Sequence, residues 1–262
     1  MLSFDKIVNK MLKNWWKVFL KDDIFEIVDP ERKPEYNNQV DKIIYRLKAE
    51  WVIISLKAGV YIVPNEDDLK LNSIDLLERY YFKLLKKYIV FYAGSDYFIS
   101  GRKSLEFHMK NFEVPEKIFV VTRNINKKLT IWNLEIIFKT ISWKIHGTKV
   151  NLYSKLSEFV IIKNIENSDF KISCLELSLI ESALVNDTEL WVPVELLSKT
   201  IKKYSSIFDR ELFYKIWKFK FSMSFNRLKE IAKPIDRELY EVFLDIIKKN
   251  GWLFIWEWLR WF

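Results

Sequence analysis

The sequence predicts an α+β protein: an N-terminal winged helix-turn-helix, a middle α+β domain and a C-terminal helical region. Three helical patterns and a hairpin pattern fill the first 66 residues, strand-like and helical runs then mix, and helical spacing alone continues from residue 186. The predicted domains are therefore 1–66, 67–185 and 186–262.

The composition indicates a folded chain. Half of the 262 residues are hydrophobic and 30% are charged. The single cysteine forms no internal disulfide, the charged start does not resemble a signal peptide, and no run of 18 apolar residues occurs, so we expect a cytoplasmic protein without membrane contact. The net charge of +8 permits a polyanionic partner, although residues 1–66 hold 11 basic and 10 acidic residues.

Within the first domain, helices are predicted at Phe4–Leu12, at Lys21–Val28 and from Tyr36 to about residue 50. The third helix has apolar residues at i, i+3, i+4 and i+7, namely Val40, Ile43, Ile44 and Leu47. Its opposite face carries five polar or aromatic residues, with the last two flanking the others: Asn38, Lys42, Tyr45, Gln39 and Arg46.

Two β-branched runs at 52–63 surround Lys57-Ala58-Gly59 and predict a hairpin, the wing of the motif. In winged helices the third helix enters the major groove of double-stranded DNA. Asn38 is the candidate for reading adenine, Lys42 and Arg46 for guanine or phosphate, and Lys57 for the DNA backbone. The alternatives are a solvated helix face and a winged module that docks onto protein.

The remaining sequence predicts a helix at 67–92, followed by mixed elements. Strands are expected at 97–99, 117–122, 130–131, 134–139 and 158–163, and helices at 104–109, 173–184, 193–204, 210–219, 225–232 and 235–249.

Three stretches resemble the AbiEi family, the antitoxins of type IV abortive-infection toxin–antitoxin systems. Leu56–Tyr61 is similar to the family's wing, and Tyr97–His108 is similar to its Y-I-S-G-x-S-A-L-x-x-H stretch. Leu175–Glu181 resembles P-E-R-A-L-L-D, with Leu175 in place of proline and Glu181 in place of aspartate. The resemblance covers about residues 15–185.

This resemblance implies a transcriptional autorepressor that binds the operator of its own gene and counters a nucleotidyltransferase toxin encoded beside it. The residue patterns, taken without the resemblance, support only DNA binding. No feature of the sequence points to toxin neutralisation except by analogy.

We expect no enzyme activity, no cofactor and no metal site. His108, His146 and the one cysteine are too few for a closed zinc site, and the usual phosphate-binding and nucleophile motifs are absent. His108 fits a core position in an apolar helix. An enzyme in the middle domain stays open as an alternative, because metal-binding carboxylates need no local signature.

The balance of glycine and tryptophan is unusual. The chain has 5 Gly and 11 Trp, whereas glycine ordinarily makes up roughly 7% of residues. Trp51 follows a helical pattern where a terminal glycine is expected, and Trp132 lies where a turn residue belongs. One hypothesis is a gene in which UGA encodes glycine; glycine at Trp15, Trp16 and Trp51 would also sharpen the family resemblance. The alternative is a tryptophan-rich core or interface.

Overall fold

The computed structural model describes residues 2–14, 17–31, 36–113, 117–131, 134–145, 148–184, 192–219 and 221–249. It confirms an α+β chain with helices and sheets. The chain is divided into two compact units. The first is Met1–Phe91 with Glu166–Ser168, and the second is Tyr92–Ile165 with Asp169–Phe262. Four positions discussed above lie outside the described residues, namely Trp15, Trp16, Trp132 and His146.

The first unit combines helices with a small antiparallel sheet. In chain order its elements are α1 (Phe4–Lys13), β1 (Val18–Leu20), α2 (Lys21–Val28), α3 (Asn37–Ala49), β2 (Ile54–Lys57), β3 (Val60–Ile62) and most of α4 (Ser73–Ala93). The strand order is β1-β3-β2, and Val18 pairs with Ile62. A two-residue turn joins β2 to β3, and Gly59 has φ 74°, a conformation that favours glycine.

The apolar stripe predicted for the third helix faces the core of this unit. Val40, Ile44 and Leu47 are buried and Ile43 is half-buried. They belong to a cluster with residues of α1, α2 and β3, among them Ile7, Met11, Ile24, Val28 and Tyr61. This packing fixes which face of α3 remains in solvent.

The second unit is built on a six-stranded mixed sheet. Its strands are β4 (Tyr97–Ser100), β5 (Lys117–Thr122), β6 (Lys127–Ile131), β7 (Leu134–Lys139), β10 (Val160–Ile165) and β11 (Ser168–Ser173), in the order β10-β11-β4-β5-β7-β6. A separate antiparallel ribbon consists of β8 (Ser142–Ile145) and β9 (Thr148–Asn151). The helices of the second unit are α5 (Gly101–His108), α6 (Tyr153–Leu156), α7 (Leu175–Ser182), α8 (Val194–Tyr204), α9 (Arg210–Trp217), α10 (Ser222–Ala232) and α11 (Arg237–Lys249).

The C-terminal helices share one core with the middle sheet. That core joins Phe98 of β4 and Leu105 of α5 to Phe213, Phe225 and Phe243. The last three rings pack edge to face, with centroid distances of 5.1 to 6.5 Å. Helices α8 to α11, which belong to the predicted C-terminal region, contribute to this core. In the portion of the chain described, no helix is both long and apolar enough to cross a membrane.

The helix predicted at 67–92 begins later than its pattern suggested. Asp68–Lys70 forms a 3₁₀ turn, and α4 begins at Ser73. The Asn65 and Asp68 side chains each accept a hydrogen bond from the other residue's backbone N–H at 2.8 Å, and Asn72 Oδ1 accepts one from Ile74 N–H. These side-chain bonds hold the turn and cap the helix.

Candidate nucleic-acid interface

The exposed face of α3 carries all five residues predicted for it. Because Val40, Ile44 and Leu47 face the core, the 100° rotation per residue turns the other side of the helix to solvent. Five side chains are exposed there: Asn38, Gln39, Lys42, Tyr45 and Arg46.

Four of these residues are available to a partner. Among the residues that the structure describes, Asn38, Gln39, Lys42 and Tyr45 make no side-chain hydrogen bond or ion pair. Tyr45 is 76% exposed, an unusual position for a large ring. The four side chains therefore need not break an internal bond to bind a ligand.

Arg46 lies on the same face but is held from two sides. Its Nε donates to Glu50 Oε1 at 2.7 Å, one helical turn later. The guanidinium carbon also lies 3.8 Å from the centroid of the Phe4 ring of α1. Sequence spacing places Arg46 on the helix face but does not reveal that α1 covers it.

Lys57 lies at the end of β2, beside the hairpin turn, as predicted. Its Nζ lies 5.6 Å from the centroid of the Tyr88 ring in α4. Burial lowers the pKa of this lysine. The ammonium group is thus partly covered by α4 instead of fully extended into solvent, a contact that no local pattern could reveal.

The carboxylates of this helix are both neutralised by ion pairs. Asp41 Oδ1 lies 2.6 Å from Lys21 Nζ, and Glu50 pairs with Arg46. Lys42 and Lys48 are exposed and have no ion pair within the described portion of the chain. The exposed face of α3 is therefore locally positive although its domain is nearly neutral.

Sequence reasoning missed two residues that belong to this face or its edge. Lys48 is exposed, and Asn37 is exposed as the first residue of α3. The signal for Asn37 was available, since N-terminal residues of a recognition helix are those that reach base edges. Helical spacing indicates Lys48 as well, since at about 100° per residue it lies about 80° from Asn38 around the helix, nearer than Gln39.

The middle domain presents no metal-binding cluster in its described residues. No group of three His, Cys, Asp or Glu side chains suitable for a metal ion was found in the part of the chain described. His108 Nε2 lies 2.8 Å from the carbonyl oxygen of Ser173, and burial lowers its pKa. The neutral His108 ring therefore donates its Nε2–H to the Ser173 carbonyl, a bond within the fold.

Comparison with known proteins gives a likeness of fold. No family model matches the chain, and no curated protein matches it. A solved structure of the RV2827C protein from Mycobacterium tuberculosis aligns with a TM-score of 0.53 at 11% sequence identity, over 94% of this chain and 80% of that one. At that identity the two chains are similar in fold alone.

Proposed function

We propose that this protein is a DNA-binding transcriptional autorepressor whose N-terminal unit is a winged helix-turn-helix, and that it acts as the antitoxin of a type IV toxin–antitoxin pair. In this proposal α3 enters the major groove of the operator and the β2–β3 hairpin is the wing. The observation that carries it is the exposed face of α3, on which Asn38, Gln39, Lys42 and Tyr45 have no side-chain partner among the described residues.

The element order supports the winged-helix assignment. The chain runs α1, β1, α2, α3, β2 and β3, and the three strands pair in the order β1-β3-β2. Strand β1 between the first two helices closes the small sheet against β3, so the hairpin is anchored at its base. A winged helix needs that anchoring, because an isolated two-stranded hairpin is marginally stable.

The chemistry of the face supports DNA as its ligand. An asparagine amide pairs bidentately with adenine, which assigns base reading to Asn38. Lys42 and Lys48 supply positive charge for phosphates, and their affinity falls as salt rises. Arg46 packs on Phe4 of α1 and pairs with Glu50, so in this proposal it connects α3 to α1 more than it reads bases.

The antitoxin role depends on the resemblance of three sequence stretches to the AbiEi family. Its test is a growth assay. Expression of the adjacent reading frame is expected to arrest growth, and co-expression of this chain to restore it. Continued arrest in the presence of the folded protein would remove the antitoxin role without affecting the DNA-binding role.

The DNA-binding role is tested by fluorescence anisotropy with the duplex upstream of the gene and a scrambled duplex, at two salt concentrations. We expect the wild type to prefer the upstream duplex and to bind more weakly at high salt. Lys42→Ala should weaken both complexes and reduce the salt dependence, whereas Asn38→Ala should mainly reduce the preference. Lys199→Ala, which removes an exposed lysine of the second unit, is the charge-matched control.

A protein-docking module is the second candidate. Two aromatic rings of this unit are more than two-thirds exposed in the described residues, Tyr45 at 76% and Trp51 at 69%, and aromatic residues are enriched at protein interfaces. Absence of any duplex preference at low salt, with a folded sample, would favour this candidate over DNA binding.

A further inference from the structure

A pocket of about 230 Å³ lies in the second unit, beside the start of α5. Its walls are mainly apolar and include Phe119, Ile141, Leu184 and Phe221. An apolar cavity of roughly 150 Å³ accepts benzene. The pocket therefore has room for a single ring with a small polar group.

Two charged residues line this pocket, Lys139 and Glu181. Glu181 of α7 is 1% exposed, whereas Lys139, the last residue of β7, is half-buried. Its Oε2 accepts hydrogen bonds from Ser173 Oγ at 2.8 Å and from Gly101 N–H at 3.1 Å. The Ser100 hydroxyl also bonds the carboxylate.

The second oxygen of Glu181 differs from Oε2 in its hydrogen bonding. Oε1 is buried and has no hydrogen-bond partner among the described residues. Leaving a buried polar atom unpaired costs about 1–3 kcal/mol, and native structures contain few such atoms. A partner for Oε1 is therefore expected, and the adjoining pocket is where that partner has room.

The carboxyl group is held in place before any ligand arrives. Gly101 is the first residue of α5 and has φ 61°, which orients its N–H toward Oε2. The neighbouring Ser173 carbonyl accepts from His108 Nε2 and from one hydroxyl of the Ser104–Ser178 pair, whose Oγ atoms lie 2.7 Å apart, so the strand end that positions Ser173 is itself fixed. Such pre-organisation lowers the cost of binding.

We propose that this pocket binds a small, neutral, single-ring molecule that donates an N–H hydrogen bond to Glu181 Oε1, as an aromatic amide or a pyrimidine does. The apolar walls cover the ring, and the free oxygen selects the donor. This site is independent of the DNA-binding role proposed for α3, because it consists of residues that take no part in that role.

The test uses benzamide and uracil as donor probes, and methyl benzoate as a benzamide-shaped probe without N–H. Binding to the full-length chain is followed at pH 8, where Glu181 is ionised and Oε1 can only accept a hydrogen bond. The readout is the NMR signal of the Gly101 amide, which donates to Glu181. We expect both donor probes to bind the wild type at least tenfold more tightly than methyl benzoate, since an unpaired carboxyl oxygen penalises the ester.

Glu181→Gln is the matched variant. The glutamine oxygen keeps the bonds from Gly101 and Ser173, while its NH₂ group replaces Oε1 and turns an acceptor into a donor. The preference for benzamide should shrink about tenfold or reverse in favour of methyl benzoate. Circular dichroism checks that the variant is folded.

Ile141→Phe narrows the pocket without changing Glu181, and it should abolish binding of both donor probes. This second variant tests the proposal even if Glu181→Gln does not fold. Failure of benzamide and uracil to bind the wild type at millimolar concentration overturns the proposal and leaves water as the partner of Oε1. Equal binding of benzamide and its ester, or binding that survives Ile141→Phe, overturns it as well.

Discussion

The Val52 N–H donates to the Leu47 carbonyl at 2.9 Å, and this bond closes the C-terminus of α3. Trp51 N–H donates to Lys48 at 3.1 Å inside the same turn. Together these bonds form a Schellman motif, in which the first of the two donor residues adopts a left-handed conformation. Trp51 is that residue, with φ 57°, and its ring is 69% exposed.

Replacing Trp51 by glycine should stabilise the protein by about 1 kcal/mol. A left-handed conformation costs a residue with a Cβ roughly 1–2 kcal/mol, and the added freedom of glycine in the unfolded chain returns part of the gain. Urea unfolding of the two proteins measures the difference. Trp51→Ala is the control, since alanine keeps the Cβ; equal stability of the glycine and alanine variants would contradict the argument.

At Trp217 we expect glycine to destabilise the protein, the opposite of its effect at Trp51. It is 8% exposed, and its ring packs at 74° against Phe225 with centroids 5.1 Å apart. Trp217→Gly should therefore destabilise the chain by roughly 3–5 kcal/mol, as large core truncations do.

The geometry at Trp51 also bears on the hypothesis of UGA read as glycine. We expect a UGA codon at position 51, and mass spectrometry of the protein from its own cells should find glycine in the peptide that follows Lys48. A UGG codon and a tryptophan-containing peptide there would end the hypothesis for this position.

Sequence pattern predicted the elements whose own residues determine them. Lys21–Val28 forms a helix with the predicted bounds, and the buried stripe of α3 and the hairpin around Gly59 follow from periodicity and turn chemistry. Strand β1 was not predicted, since three buried residues beside a helix show no alternation and become a strand only by pairing with β3. Strands β8, β9 and β11 were also not predicted, although β8 pairs with β9 and β11 lies beside β10, so their partners are close in sequence. In β11 the apolar Phe170 and Ile172 alternate with Asp169 and Lys171, a pattern that indicates a strand.

The candidate interface was predictable to the same degree. Helical spacing gave the five exposed positions of α3, because one buried stripe fixes the opposite face. It could not distinguish Lys42 from Arg46, since the difference arises from Phe4, which is 42 positions away in sequence. Nor could it find the Glu181 pocket, whose residues come from β4, β5, β7, β8, α7 and loops between elements.

Arg46→Ala should lower the free energy of unfolding by about 1 kcal/mol, because it removes an i,i+4 ion pair and a cation–π contact that are each worth roughly 0.3–1 kcal/mol at exposed sites. Lys42→Ala, one turn earlier and unpaired among the described residues, should stay within about 0.5 kcal/mol of the wild type. Chemical denaturation of the two variants makes the comparison. Equal losses would show that Arg46 is not held by Phe4 and Glu50.

Glu181 should make the protein less stable as pH rises. Desolvation raises the pKa of Glu181 from 4.5 to about 7, against the opposing effect of hydrogen bonds from Gly101, Ser173 and Ser100. Between these two pH values the folded chain keeps a proton that the unfolded chain has released. The stabilisation is therefore fully present below pH 4.5 and is lost as the pH rises through about 7.

The expected loss is about 3 kcal/mol between pH 4.5 and pH 8, from the conversion of a pKa difference into free energy. Urea unfolding of the wild type and of Glu181→Gln across this range measures it as the difference between the two proteins. His108, whose pKa is lowered by burial, acts in the opposite direction, since its contribution is lost as pH falls. Both proteins contain His108, so the subtraction removes its effect. Parallel stability curves for the two proteins would show that Glu181 is ionised at the same pH in the folded and unfolded chains.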